Sequence, residues 1–384
     1  MTTLARSLER PTAPHLARQL RRFLAYASVS LFACVLLSAF LMPFAYMVAT
    51  AFKDRQQFSQ PKAPIWPASE ATYTYTGPEQ SFTISYLTRA GEIKEETVSL
   101  TPDQSFPIYK VPYEGVTRSW ALVVKRPEES FFLDPDDIEA GLIKWQGKWQ
   151  TLERDWVLDP RWQNFTKAWE EIRFPLLLRN TFVIAVLGDI GTLLSSIAVA
   201  YGFSRFRIPG KNVLFTILIA TIILPPYVTM IPAYAFYSAI GWNGTWLPLI
   251  VPHFFANAYN VFVLRQFFMT IPRELDEAAM IDGASPLRTL LSVILPQAVP
   301  AVVAVALSHF FWAWNDFLGP LLYLTGQKDL QPISLGIQTY NALYSNQPHM
   351  IQATSLMGLL VPVILFFLAQ GAFMRGIVIT GVEK

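Results

Sequence analysis

Between residues 212 and 264 the chain carries no Asp, Glu, Lys or Arg. A bilayer core about 30 Å thick is crossed by roughly 20 apolar helical residues, so this run is too long for one span and suits two. The turn-rich Gly241-Trp242-Asn243-Gly244 stands where they would join. Apolar runs at 23–52, 176–203 (interrupted by Asp189), 290–315 and 354–374 bring the expected spans to six. Backbone groups in lipid need internal partners and these runs do not alternate, so helices rather than barrel strands are expected. The first run could be a cleaved leader, but such an apolar core is only about 7–15 residues long. Here it continues through Met42-Pro43-Phe44-Ala45-Tyr46-Met47, as a retained span does.

Of the 384 residues, 52% are hydrophobic and 15% charged, well below the about 25% charged residues of soluble domains. The net charge of +2 gives no reason to expect a nucleic-acid partner. The charges are segregated: 19 of the 28 acidic residues fall between Lys53 and Arg179. A single cysteine, Cys34, rules out an intrachain disulfide. His15, His253, His309 and His349 are scattered, without metal-ligand spacing, so no metal is expected.

Basic residues in short loops set orientation. Arg6, Arg10, Arg18, Arg21 and Arg22 precede the first run, and Arg205, Arg207 and Lys211 follow the second. With six spans both termini are expected in the cytoplasm of a multi-pass inner-membrane protein. Trp242, Trp246, Trp312, Trp314 and Tyr323 then fall near the outer ends, as an aromatic belt.

The expected divisions are a basic N-terminus at 1–22, a first transmembrane helix at 23–52, an extracytoplasmic insert at 53–175, and a core of five further helices at 176–384. The insert is soluble in composition and reads as β-rich, with strands at 81–87, 95–100, 119–125 and 141–145. A hairpin turn is expected at Gln146-Gly147. The carboxylates from Asp134 to Glu139 read as a solvated acidic loop leading into a helical turn.

The informative stretch is 271–288, a cytoplasmic loop in this topology. Pro272 suits a helix start, and Glu274, Asp276 and Glu277 suit the positive end of the helix. Gly283 supplies a stop, and Ser285-Pro286 a cap and first residue for the next helix. The small Ala278 and Ala279 admit close approach of another surface, and the carboxylates, Asp282 included, offer charged hydrogen bonds.

This segment resembles the EAA loop of ATP-binding-cassette (ABC) importer permeases at Glu277, Ala278, Ala279, Gly283, Val293, Leu295 and Pro296; Val293 stands where Ile is usual. Leu264-Arg265-Gln266-Phe267-Phe268, the stretch from Ile271 to Leu275, and Ala313-Trp314-Asn315-Asp316-Phe317 are similar to the carbohydrate-type permeases related to the maltose transporter's second membrane subunit. The likeness covers Asn180 to the end of the chain, the first span and the approach from Trp162 to Trp169, roughly two-thirds of the sequence.

The resemblance implies an all-α membrane protein of the type I ABC importer permease kind, with six transmembrane helices and a small β-rich insert. It implies that the short helix couples to an ATPase through Glu274, Glu277, Ala278, Ala279, Asp282, Gly283, Leu295 and Pro296. The implied partners are a second permease, a cytoplasmic ABC ATPase dimer, an extracytoplasmic solute-binding protein and the bilayer. The chain itself lacks a phosphate loop, since Pro209-Gly210-Lys211-Asn212 fails the pattern. Hydrolysis, with ATP and magnesium, is therefore expected on a separate ATPase, and no catalytic residue or cofactor is expected here. The departure from the family is the insert, which intervenes between Ile65-Trp66-Pro67 and Trp162-Gln163-Asn164-Phe165. It could dock the binding protein, pack against the partner permease, or take a sensing or other role.

Asp189 sits mid-span, where a charge is costly unless paired or hydrated, making it a pathway candidate or a helix-facing carboxyl near Thr192 or Ser195. Pro225-Pro226 and Pro232 interrupt the third span and fit a kinked, cavity-lining helix. Asn315 and Asp316 could form an outer gate or cap a helix end. Phe254, Phe255, Tyr259 and Tyr340 suit sugar stacking or ordinary packing. A sugar or sugar-like solute is the expected cargo. The alternatives are glycerol-3-phosphate or its diesters and, in another class, a membrane sensor with an external ligand-binding domain.

Overall fold

In the computed structural model, residues 15–60, 62–87, 93–342 and 345–381 are described. The expected basic residues Arg6 and Arg10 lie outside them. The chain forms two compact units, one holding the chain up to Lys53 together with Gln60–Asp159, the other Asp54–Ser59 and Pro160 onward.

In the first unit, helix α1 (His15–Ala51) is almost uniformly apolar and keeps Pro43 inside it. Its apolar side chains, Phe23, Leu31 and Phe40 among them, are exposed. Behind it in sequence, among the described residues, come ten strands: β1 (Ala68–Glu70), β2 (Thr72–Thr74), β3 (Gln80–Leu87), β4 (Ile93–Leu100), β5 (Ser105–Tyr113), β6 (Val116–Val124), β7 (Glu129–Leu133), β8 (Leu142–Gln146), β9 (Glu153–Arg154) and β10 (Trp156–Leu158). The main antiparallel sheet runs β2-β5-β6-β7-β8, with β9 pairing β5; β3-β4 and β1-β10 form separate pairs. Glu114 and Gly115, at φ 48° and 79°, make the tight turn between β5 and β6, as a two-residue hairpin requires. Tyr109, Val111, Trp120, Leu122 and Phe132 form its buried core.

The expected hairpin at Gln146-Gly147 does not form. Strand β8 pairs with β7, Gly147 N–H donates to Glu128 O, and Trp149–Thr151 coils into a short 3-10 turn. The β7 segment, Phe131-Phe132-Leu133, supplies a buried face that the exposed Lys148 and Gln150 could not. The acidic stretch is a loop: Asp134 accepts from Trp120 Nε1 at 2.8 Å, and Asp137 caps the turn Ile138–Ala140.

The second unit is helical. Helix α2 (Gln163–Glu171) precedes α3 (Phe174–Arg205), followed by α4 (Lys211–Ala220) and α5 (Pro226–Ala239). Then come α6 (Ala258–Thr270), α7 (Glu274–Ile281), α8 (Val299–Trp314) and α9 (Pro348–Gly381). Among the described residues, four stretches are long and apolar enough to cross a membrane: Gln19–Ala51, Phe174–Arg205, Leu247–Thr270 and Pro348–Gly371. Two bent pairs bring the number to as many as six: Lys211–Ile223 with Tyr227–Ala239, at 97°, and Pro286–Gln297 with Val299–Trp314, at 83°. The first bend falls at Pro225-Pro226, where the pyrrolidine rings remove two backbone donors. Pro232 lies inside α5 without breaking it. Helices α3, α6 and α8 share a core of Ala200, Val261, Leu264, Phe268, Ala301 and Val305.

Candidate functional site

Helix α7 is built by its two ends. Its first turn carries Glu274, Asp276 and Glu277 beside the unsatisfied N–H groups. At its C-terminus Ala284 N–H donates to Ala279 O at 2.9 Å and Gly283 N–H to Met280 O at 3.1 Å. That pair of bonds is a Schellman closure, which needs a left-handed residue, and Gly283 takes it at φ 79°. Ser285 Oγ then accepts from Arg288 N at 3.3 Å, and Pro286 opens the next helix. The chain passes through a π-turn at Leu290–Ile294 and the short turn Leu295–Gln297, with Pro296 in its first positions. Leu295 packs against the α3–α6–α8 core.

Three contacts tie α7 and its flanks to the end of α3. Arg205 Nε lies 2.8 Å from Asp276 Oδ2, with both side chains nearly buried. Arg205 Nη2 donates to Ile271 O at 3.0 Å, and Tyr201 OH to Pro286 O at 3.1 Å. A cavity of about 240 Å³ beside them is lined by Tyr201, Arg205, Arg273, Asp276, Glu277 and Met280. Burial pushes the Asp276 carboxyl above the ordinary carboxylate range, while the Arg205 and Arg273 guanidiniums pull it back down.

The other face is open. Glu274, Glu277, Ala278, Asp282 and Gly283 are exposed, and so are Met280 at 59%, Ile281 at 87% and Leu287 at 64%. Carboxylates interleaved with bare apolar side chains give this face both exposed apolar area and charged hydrogen-bonding groups.

Asp189, on the same helix as Thr192 and Ser195, faces a histidine from another helix. His309 Nδ1 of α8 lies 3.5 Å from Asp189 Oδ1, and His309 Nε2 is 3.2 Å from His253 Nδ1. Two of the four histidines that look scattered in the sequence, His253 and His309, thus line up with Asp189 across three helical segments. Ser195 Oγ instead approaches Gly191 O and His253 O at 2.8 and 3.1 Å. The chain folds that way because Gly188 leaves room: a Cβ there would stand 3.2 Å from His253 and 3.3 Å from His309.

Asn315 Nδ2 donates to Phe311 O at 2.8 Å, and Asp316 Oδ1 accepts from Gly319 N at 3.2 Å. Both side chains therefore complete helix ends. Burial raises the Asp316 carboxyl above its ordinary value, against the pull of the Gly319 and Leu318 amides. Among the aromatic candidates, Tyr340 is buried with its hydroxyl on Glu171, whereas Phe254, Phe255 and Tyr259 are exposed. Arg205, Tyr201, His253 and His309 are site residues that sequence reasoning does not single out; no local spacing connects Arg205 to Asp276 or His309 to Asp189.

The family described as binding-protein-dependent transport system inner membrane component matches residues 191–377, which contain α7 and both bent pairs. An osmoprotective-compound uptake permease, GgtD of Synechocystis, is 30% identical over 53% of this chain and 69% of its own. The sn-glycerol-3-phosphate permease UgpE of Pectobacterium atrosepticum is 33% identical over 56% of this chain and 79% of its own. A chain from a bacterial transporter that imports the acidic polysaccharide alginate superposes with a TM-score of 0.58 at 16% identity, over 95% of this chain and all of that one, a likeness of fold. The chain belongs to the binding-protein-dependent inner membrane components and is a permease subunit of an ABC importer, a membrane component rather than an enzyme.

Proposed function

We propose that this chain carries a sugar or sugar-like solute across the inner membrane, received from an extracytoplasmic binding protein. It spans six times, each bent pair counting as one span, with both termini in the cytoplasm and 53–175 outside. A second permease completes the pathway, and ATP and magnesium act on a separate ATPase dimer.

The observation that carries this reading is the way α7 is held. Its exposed face offers Glu274, Glu277, Met280 and Ile281, while Asp276 and the flanking backbone are tied to Arg205 and Tyr201 at the end of α3. A push on α7 is then a push on a transmembrane helix. The ATPase docks there, with Ala278, Ala279, Asp282 and Gly283 at the contact and Leu295 and Pro296 passing motion into α8. The bends at Pro225-Pro226 and before Val299 are where the spans yield. Asp189 and its histidine partners belong to the moving pathway, and Asn315 and Asp316 to its rim. Because UgpE relatives are similar over most of their length, glycerol-3-phosphate is the second reading. Among the described residues few basic side chains lie within the spans, which favours a neutral solute.

The test is co-purification and ATPase stimulation with the candidate ATPase and partner permease, comparing wild type with Glu277→Lys and Ile281→Asp. Lost ATPase association with the membrane pair still assembled supports docking at α7. Undiminished association and stimulation in both variants removes it.

A further inference from the structure

Within the first unit, a cleft of about 690 Å³ opens along β5, β9 and β10. Three indoles line it, Trp66, Trp149 and Trp156, with Tyr109 beside them. Trp66 is 55% exposed, and Trp149 and Trp156 are half-buried. Trp66 leaves about half its surface to water. Trp149 packs edge-on to Tyr109 with Lys125 Nζ over its ring at 5.6 Å and turns only part of itself to the cleft, and concavity of this size fits a small ligand.

The polar lining is equally specific. Register brings Lys110 opposite Glu153 and Tyr109 opposite Arg154. Lys62 lies 3.4 Å from Glu153, and Lys110 lies 3.9 Å from Asp155. These pairs are solvated and long, so each holds little energy and can be exchanged for hydrogen bonds to hydroxyl groups. Charges of both signs in alternation suit a neutral polyhydroxylated molecule better than an ion. Aromatic faces carry negative charge density and attract the weakly positive C–H face of a pyranose ring.

We infer that this cleft is a saccharide-binding site on the β-rich insert, taking one or two pyranose units between the tryptophans, with Lys62, Lys110, Glu153 and Asp155 meeting their hydroxyls. It shares with the proposed function only the class of ligand. A site here gives the permease a hold on saccharide that is separate from the membrane path and from α7.

The test is isothermal titration of the full-length chain in nanodiscs, without ATPase or binding protein, against glucose, galactose, maltose, cellobiose and glucuronate. At least one of these sugars is expected to bind, with affinity falling about tenfold in Trp66→Ala and Trp149→Ala and retained in Trp66→Phe. Because Trp149 is half-buried, its variant is read beside Trp66→Ala and Lys62→Gln, which alter exposed side chains. No binding by any of the five, or binding unchanged in the tryptophan variants, overturns the inference. Because the partner subunits are left out, that failure is distinct from failure of the ATPase assay.

Discussion

Arg205, the last residue of α3, and Asp276, in the first turn of α7, meet at 2.8 Å with both side chains nearly buried. An ion pair in so little water is strong only while both partners are present, because either charge alone keeps its desolvation cost. Arg205→Ala or Asp276→Ala is expected to weaken the α3–α7 junction by about 3–5 kcal/mol, while Arg205→Met with Asp276→Leu recovers most of it. A double-mutant cycle on thermal stability in detergent measures this. A loss in Arg205→Ala with Asp276→Ala equal to the sum of the two single losses would show that the pair does not hold the junction.

The same carboxylate sets a pH dependence. Burial raises Asp276 above its unfolded value, so the folded chain binds the extra proton between the two values. Stability therefore falls as pH rises through that window and levels off above the raised value. Asp276→Asn has no proton to lose, and its stability profile is expected to lack this decline. Melting curves across the acidic range compare the two.

The Asp189–His309–His253 chain predicts an ordering of substitutions. Asp189→Asn keeps a polar oxygen facing His309 Nδ1 at close range, whereas Asp189→Leu sets an apolar group against that buried nitrogen, at about 1–3 kcal/mol. Transport by the assembled importer should follow the order wild type, Asn, Leu. A leucine variant as active as wild type refutes a role for the carboxylate.

Close packing predicts another loss. A Cβ at Gly191 would stand 2.6 Å from the Phe254 ring. Gly191→Val forces that ring, and the 3-10 turn Val251–Phe254 that carries it, away from α3, at roughly 1–3 kcal/mol. Reduced thermal stability is expected, with partial recovery in Gly191→Val combined with Phe254→Ala.

How much of this could be read in advance depends on range. Uncharged runs mark lipid-facing helices because the cost of charge there is local, and α3 and α9 lie close to where those runs fall. The boundaries of α7 were readable from Pro272, Gly283 and Ser285-Pro286, each of which acts on its own backbone. What was hidden is pairing at a distance: Asp189 finds His309, and Arg205 finds Asp276, only once α3, α6 and α8 pack. Strand β5 was obscured by Pro107 and Pro112, residues that ordinarily argue against a strand, yet each pairs across its sheet, with Thr72 and Thr117. The misplaced hairpin at Gly147 has the same origin, because the apolar face that β8 needed lies on β7, earlier in the chain.

Gly283 has open space where a side chain would begin: no atom lies within 4 Å of a Cβ built there, yet its φ is +79°. The turn behind α7 thus selects against handedness and not against bulk. A D-alanine introduced by chemical ligation would sit in that backbone at ease, whereas L-alanine carries a penalty of about 1–2 kcal/mol. The point at which the loop reverses is, in effect, a chirality filter, and mirror-image substitution separates its geometry from any contact its surface makes.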